Sequence, residues 1–240
     1  MLAGATSFIL HFKSITQKRF VYFRNTSFKI FISVIAISIL LITANVYFEN
    51  DVHYTLLHSL RIASFQVISL ITTTGFATAD FKFWPQFSQL ILIMLMFVGG
   101  MSASTSGAIK VSRLEVLYKD MKNVMSQIFR PAMIKNVEIN GTSIRPAKIE
   151  KVYLFVILYI TVFVISGILI VANGNSIATS FSAVAATLGN VGPGIGQVGP
   201  FDNFLHFSLF SKIILSFCML LGRLEIWTAL LLFSKYFWTV

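Results

Sequence analysis

The chain has 240 residues, is 56% hydrophobic and only 12% charged, and carries 24 phenylalanines, a composition outside the range of soluble domains that excludes a soluble enzyme. Its formal charge of +10 belongs to basic residues that flank apolar blocks. No soluble module carries them, so membrane orientation explains the charge and a nucleic-acid partner is not expected.

In chain order, Phe28 to Phe48 holds no ionised residue between Lys29 and Glu49, and it is long enough to cross a bilayer, which takes about 20 apolar residues. It lies too far from the start, and is too long, for a cleaved signal peptide. Thr55 to Ile71 is apolar but interrupted by His58, Arg61, Ser64 and Gln66, and it ends in Thr72-Thr73-Thr74-Gly75-Phe76. That stretch is too short and too polar to span. After Trp84-Pro85, Gln86 to Val98 offers thirteen residues, roughly 20 Å of helix. The pattern then breaks at Gly99-Gly100-Met101-Ser102-Ala103-Ser104-Thr105-Ser106-Gly107, and a partly polar helix resumes near Ala108.

A polar stretch from Lys119 to Glu150 reads as a cytoplasmic connection. Beyond it Val152 to Ala172 is a spanning block, Asn173-Gly174-Asn175 a turn, and Ile177 to Leu188 a short apolar helix ending in Gly189-Asn190-Val191-Gly192-Pro193-Gly194. Phe204 to Trp238 gives a long inner helix containing Arg223 and Glu225. The halves align as outer helix, short helix, glycine loop and inner helix, with Thr73-Thr74-Gly75 opposite Asn190-Val191-Gly192, so the expected fold is an all-α integral membrane protein built as two repeats. Its expected divisions are residues 1–26, an amino-terminal cytoplasmic segment; 27–118, the first membrane-pore-membrane unit; 119–150, the connection; and 151–240, the second unit.

Fourteen of the nineteen basic residues lie either between Lys13 and Lys29 or between Lys110 and Lys151. The positive-inside rule places both groups, and both termini, in the cytoplasm. Each short helix with its glycine loop must then enter and leave on the outer face, as a re-entrant pore loop, near Glu49, Asp51, Asp80 and Asp202. Non-helical backbone at membrane depth is tolerated only where protein or a water-filled cavity satisfies it. Two such loops argue for a lined path in which carbonyl oxygens replace the hydration shell of a small cation. The short helices aim their carboxyl ends, with partial negative charge, at the same point. A single glycine-rich stretch after an apolar helix would be only a loop; two in register favour a filter.

The segment FQVISLITTTGF, the following DFKFWP, GGMSASTSGAIKV, TLGNVGPG and GRLEIWT resemble the Trk/Ktr superfamily of potassium transporters, in its membrane subunit. The resemblance runs along nearly the whole chain and implies four outer helix, pore loop, inner helix units arranged pseudo-fourfold around one ion path in the bacterial inner membrane. This sequence matches the third and fourth units, the carboxyl-terminal half, and Leu2 to Phe8 looks like the tail of the second unit's inner helix. The resemblance makes Thr72, Thr73, Thr74, Gly75, Phe76, Gly189, Asn190, Val191, Gly192 and Pro193 the filter strands, with K+ held by their backbone carbonyls. It makes Gly99, Gly100, Ser102, Ser104, Thr105, Ser106 and Gly107 an intramembrane gate, and Arg223 a basic side chain facing the cavity. Ala103 and Ala108 stand where the family commonly has glycine, which implies a stiffer gate.

The expected function is potassium uptake, with no enzymatic activity and no cofactor. The chain would act as half of a transporter completed by an amino-terminal half or a second copy, with a nucleotide-binding cytoplasmic regulatory subunit and membrane lipid as further partners. The alternatives are a non-conducting split remnant and a homodimeric two-unit cation channel. Arg223 is costly in lipid and should face protein or water; Glu225, two residues on, does not share its helix face. Other features are weak. His11, His53, His58 and His206 have no metal-ligand spacing, the single cysteine, Cys218, excludes an intrachain disulfide, Trp227 and Trp238 read as interfacial anchors, and Asn25-Thr26-Ser27 and Asn140-Gly141-Thr142 match the glycosylation pattern by chance.

Overall fold

A computed structural model of the chain describes residues 1–17, 21–49, 55–129, 136–224, 226 and 238. Lys18, Arg19, Asp51, His53, Lys135, Glu225 and Trp227 lie outside the described residues. Two short helices, α1 (Leu2–Ala5) and α2 (Phe8–Thr16), precede α3 (Thr26–Glu49), α4 (Leu56–Ile71), α5 (Gln86–Phe97) and α6 (Val111–Phe129). An antiparallel hairpin, β1 (Glu138–Ile139) with β2 (Thr142–Ser143), leads into α7 (Pro146–Ala172), α8 (Ile177–Leu188) and α9 (Leu209–Leu224).

Helix starts fall where side chains or chain chemistry satisfy exposed backbone donors. Asn25 accepts from the Phe28 N–H (3.1 Å), Ser176 from Thr179 (3.3 Å) and Ser208 from Ser211 (3.3 Å), while Pro146 occupies the first turn of α7. The α3 and α7 helices, 24 and 27 residues long, are long and apolar enough to cross a membrane, whereas α4, α5 and α8 are shorter apolar helices. At ~1.5 Å per residue a 12-residue helix reaches roughly 18 Å, well short of a bilayer core.

On α3, Phe31, Ile35, Ile42 and Val46 are buried while Ile37, Leu40, Leu41 and Phe48 are exposed. The α7 helix repeats this, with Phe155, Tyr159 and Ile170 inside and Ile157, Ile165 and Ile168 outside. An outer face as apolar as the inner one fits a hydrocarbon solvent, not water. Two cores form, one mainly of α3–α5 around Phe31, Ile42 and Leu70 that also takes in Ala185, Val191 and Ile195, and one of α7–α9 around Tyr159, Ile170 and Leu188. Phe97 joins them by edge contacts to Phe163 (4.9 Å between centroids) and Tyr159 (6.3 Å).

The region between the halves differs from the sequence expectation. The α6 helix continues to Phe129, α7 begins at Pro146, and a hairpin stands where only loop was expected. The charges of Lys119, Asp120 and Lys122 suggested a loop, yet they fall on the polar side of a helix whose Val111 and Val116 are buried. Asn140 and Gly141 both have positive φ (50° and 77°), as a tight two-residue hairpin turn requires. The Asn140 Oδ1 accepts from the N–H (2.9 Å) and hydroxyl (3.1 Å) of Thr26, so the two glycosylation-like triplets clip the hairpin to the start of α3.

The same region is anchored by Glu115. Its buried carboxylate accepts from the Ser27 hydroxyl (2.5 Å) and pairs with Lys119 (2.7 Å), whose ammonium also donates to the Glu138 carbonyl (2.9 Å). Lys119 is therefore committed within the fold, tying α3, α6 and the hairpin together. Removing one partner leaves a buried charge uncompensated; because Lys119 itself is partly exposed, Lys119→Met should cost about 2 kcal/mol, below the range for a fully buried pair. The unfolding midpoint in detergent should fall for Lys119→Met and less for Glu115→Gln, which keeps an acceptor for Ser27. An unchanged midpoint in Lys119→Met would remove this network from the stability argument.

Candidate functional site

The chain leaves α4 and α8 by the same turn. After α4, the Thr72 N–H donates to Ile68 (3.1 Å), Thr73 to Leu70 (3.0 Å), and Thr74 and Gly75 both reach the Ser69 carbonyl (2.9 and 3.5 Å). After α8, Gly189 donates to Ala185 (2.9 Å), Asn190 to Thr187 (3.1 Å), and Val191 and Gly192 both reach Ala186 (2.9 and 3.5 Å). Positive φ recurs at the same places, 52° at Thr73 and 53° at Asn190, then 79° at Gly75 and 113° at Gly192. Glycine adopts this conformation without a Cβ penalty.

The two turns meet. A Cβ on Gly75 would collide with the Val191 carbonyl oxygen, and one on Gly192 would stand 3.7 Å from the Gly75 Cα. Among the described residues no hydrogen bond reaches the carbonyls of residues 72–75 or 189–193. Phe76 differs: its carbonyl accepts from the Ser69 hydroxyl at 2.5 Å, and its ring is exposed. Ser182, whose hydroxyl receives the Ile195 N–H, braces the second loop. Neither serine was singled out in the sequence, because a small polar residue inside an apolar helix carries no loop signal.

The stretch from Gly99 to Gly107 lies against both turns. The Gly107 N–H donates to Thr73 Oγ1 (3.0 Å), and a Cβ on Gly107 would stand 2.5 Å from the Gly189 carbonyl. Internally, Ser106 Oγ accepts from the Gly100 N–H (2.7 Å), Ser104 donates to Met101 (2.5 Å) and Ser102 shares a hydrogen bond with Ser112. The opening segment holds the loop from the other side: Ala5 accepts from Met101 (2.9 Å), Gly4 from Thr105 (3.2 Å), and Phe8 donates to Ala103 (3.0 Å). Ala103 and Ala108, the two positions where glycine was expected, have φ of 56° and 54°. They hold a left-handed backbone despite a Cβ.

Arg223, near the end of α9, donates from its guanidinium to the Thr105 carbonyl at 2.9 Å. It borders a cavity of about 250 Å³ shared with Ser104, Gly107, Lys110 and Arg113. Gly222 beside it permits close packing, since a Cβ there would overlap the Leu188 carbonyl. Two acidic residues near the turns are engaged: Asp80 accepts from the Lys82 N–H (3.0 Å), and Asp202 pairs with the Lys82 ammonium (3.1 Å) across the two halves. Among the described residues no three His, Cys, Asp or Glu side chains gather for a metal ion.

A family profile described as TrkH, cation transport protein, matches residues 1–238. The chain belongs to the TrkH family. It is 34% identical to the Trk system potassium uptake protein TrkH of Salmonella typhimurium over 99% of its length and 49% of the relative's. Against TrkG of Escherichia coli, also a Trk system potassium uptake protein, it is 31% identical over 78% of its length and 38% of the relative's. The crystal structure of the potassium transporter TrkH from Vibrio parahaemolyticus matches with a TM-score of 0.89 and 32% identity, over 99% of this chain and 51% of that one. The chain spans about half the length of the curated relatives it matches. As a TrkH family member it is an integral membrane protein of a transport family, not an enzyme family.

The strained alanines give a direct test of the loop's backbone. A left-handed conformation costs a residue with a Cβ about 1–2 kcal/mol, and glycine's extra entropy loss costs roughly 0.5–1 kcal/mol. Ala103→Gly and Ala108→Gly should each be neutral or stabilising by up to about 1 kcal/mol, whereas Ala108→Val should destabilise. Thermal unfolding in detergent would show it, and destabilisation by both glycine variants would contradict the assigned backbone.

Proposed function

We propose that this chain forms half of a potassium uptake path, with residues 72–76 and 189–193 as two filter strands, the Gly99 to Gly107 loop as a gate and Arg223 as its basic neighbour. The observation that carries the reading is the matched pair of turns, meeting at Gly75 and Val191, whose carbonyls accept no hydrogen bond from described residues. Carbonyl groups held without internal partners at the ends of short apolar helices suit a partly dehydrated cation, and both helix carboxyl ends favour positive charge. Phe76 contributes through its place in the strand, its carbonyl being taken by Ser69.

Two strands do not surround an ion, so the path is completed by an amino-terminal half or a second copy. In this reading α3 and α7 are the outer helices, α4 and α8 re-entrant pore helices, and both termini face the cytoplasm of a bacterial inner membrane. The superfamily resemblance further implies a nucleotide-binding regulatory subunit on the cytoplasmic side. With the completing half supplied, Gly75→Ser and Gly192→Ser should lower the K+ over Na+ preference of uptake at least tenfold while leaving protein level within twofold. Unaltered ion preference in both would defeat the filter assignment.

The gate makes a second, separable expectation. Arg223 reaches Thr105, and a fixed cation beside the path also repels K+. Arg223→Ala should raise K+ flux per inserted molecule several-fold, and deletion of Met101 to Ser106 should raise it without changing ion preference. Because Arg223 acts partly through the loop, combining the two should give less than the product of their separate effects. Fully multiplicative effects would assign Arg223 to the path alone.

A further inference from the structure

The helix α4 reaches past its own end to hold the loop that follows it. Gln66 and Ser69, neighbours on one helix face three residues apart, are both fully buried. The Ser69 hydroxyl donates to the Phe76 carbonyl (2.5 Å), and the Gln66 amide donates from Nε2 to the Ala79 carbonyl (2.9 Å). Both carbonyls are therefore turned toward the buried face of α4. The other end of the Gln66 amide, Oε1, is buried and receives no hydrogen bond from any described residue. Burying an amide with one end unsatisfied costs stability. An apolar side chain would avoid that cost, so what the glutamine supplies at this position is its bond to Ala79.

The second half lacks this brace. Ala186 stands where α4 has Ser69, since each takes the same pair of N–H groups on its carbonyl. The same step along the chain sets Ala183 opposite Gln66 and Pro193 opposite Phe76. Neither alanine has a side-chain donor, and among the described residues no hydrogen bond reaches the Pro193 carbonyl. The side chain that holds this loop, Ser182, accepts from the Ile195 N–H instead. The far ends of the two strands are close, a Cβ on Gly75 standing 3.3 Å from Pro193 Cδ. We propose that Gln66 and Ser69 are specificity-determining positioning residues that withhold the Phe76 and Ala79 carbonyls from the ion path, so that its last site takes a carbonyl from residue 193 but none from residue 76.

A carbonyl that already accepts from a hydroxyl, and is aimed at its own helix, offers an ion little negative charge. Ion binding follows the number and field strength of the carbonyl dipoles, so a site short of one ligand binds K+ more weakly and releases it sooner. The assignment rests on the filter reading of residues 72–76 and 189–193. It adds which ligand is withheld and which side chains withhold it. Gln66 and Ser69 touch no ion in this arrangement; they act through Ala79 and Phe76.

The test measures K+ uptake per inserted molecule over a range of external K+ concentrations, with the completing half supplied. Ser69→Ala frees the Phe76 carbonyl and should lower the half-saturating K+ concentration about fivefold, with a lower maximal rate because K+ leaves more slowly. Gln66→Leu should shift it in the same direction by less. Ser69→Thr, which keeps the hydroxyl, should retain the original value, and Ala186→Ser, which offers the Pro193 carbonyl the same donor, should raise it. Ser64→Ala, on α4 with its hydroxyl on the Arg61 carbonyl, should change nothing. Unfolding midpoints in detergent identify variants that lose structure. Gln66→Leu removes a half-satisfied amide and should fold at least as well as the parent, so it decides the matter where Ser69→Ala fails to fold. Unaltered half-saturation in Ser69→Ala and Gln66→Leu, shifts of the same sign in Ser69→Ala and Ala186→Ser, or an equal shift in Ser64→Ala would each overturn the assignment. The glycine variants keep the two claims apart: altered ion preference in Gly75→Ser and Gly192→Ser with no shift here rejects the brace alone, whereas unaltered preference rejects the filter and the brace with it.

Discussion

Backbone that abandons the helix among buried apolar helices must still find partners for its N–H groups, and that constraint organises the two turns of this chain. At Thr72 and Gly189 two short helices stop, and nothing sends the chain into a sheet. The donors of the next residues are satisfied by folding back onto Ser69 and Ala186. That arrangement requires positive φ at Thr73, Gly75, Asn190 and Gly192 and turns the carbonyls away from their own helices. Glycine at the second positive-φ position of each turn lets the two loops approach until Gly75 lies against Val191.

The Gly99 to Gly107 loop obeys the same constraint with a different solution. Its groups are satisfied by side-chain hydroxyls and by neighbouring segments: Ser106 for Gly100, Thr73 for Gly107, Ala5 for Met101 and Arg223 for Thr105. Many of these bonds come from residues far apart in sequence, so each can be exchanged without unwinding a helix. Under the proposed gate role, a segment held by replaceable contacts is better suited to two arrangements than a packed helix. The positive φ at Ala103 and Ala108 works against this freedom, since residues with a Cβ have fewer alternative wells than glycine.

Much of this was legible in the sequence where the signal was local. The α8 bounds, Ile177–Leu188, coincide with the apolar run, and the triplets Thr73-Thr74-Gly75 and Asn190-Val191-Gly192 align in the chain as their turns do in space. Long-range partners were not legible. Nothing near Thr105 announces Arg223, nothing near Asn140 announces Thr26, and nothing in Leu2 to Phe8 announces a brace for the loop. The start of α6 was legible near Ala108, but its extension past Lys119 to Phe129 was not, because its charges are too dense for an apolar-block reading, although Val111, Glu115 and Val116 share its buried side. Nothing in the sequence joins Asp80 to Asp202, although Lys82 engages both, its N–H with the first and its ammonium with the second across the halves.

The contact between Thr73 and Gly107 joins the two solutions. Thr73 adopts positive φ, an unfavourable choice for a β-branched residue, and its hydroxyl then accepts the Gly107 N–H at 3.0 Å. Its counterpart Asn190 has the same φ and sends its amide to the Met219 carbonyl at 3.2 Å on α9 instead. The same backbone turn is therefore braced by the Gly99 to Gly107 loop in one half and by the α9 helix in the other. A displacement of the Gly99 to Gly107 loop withdraws a hydrogen bond from the first turn and none from the second. The two turns, equal in backbone, therefore differ in their partners: the first is tied to a loop that is itself held by contacts distant in sequence, the second to a helix.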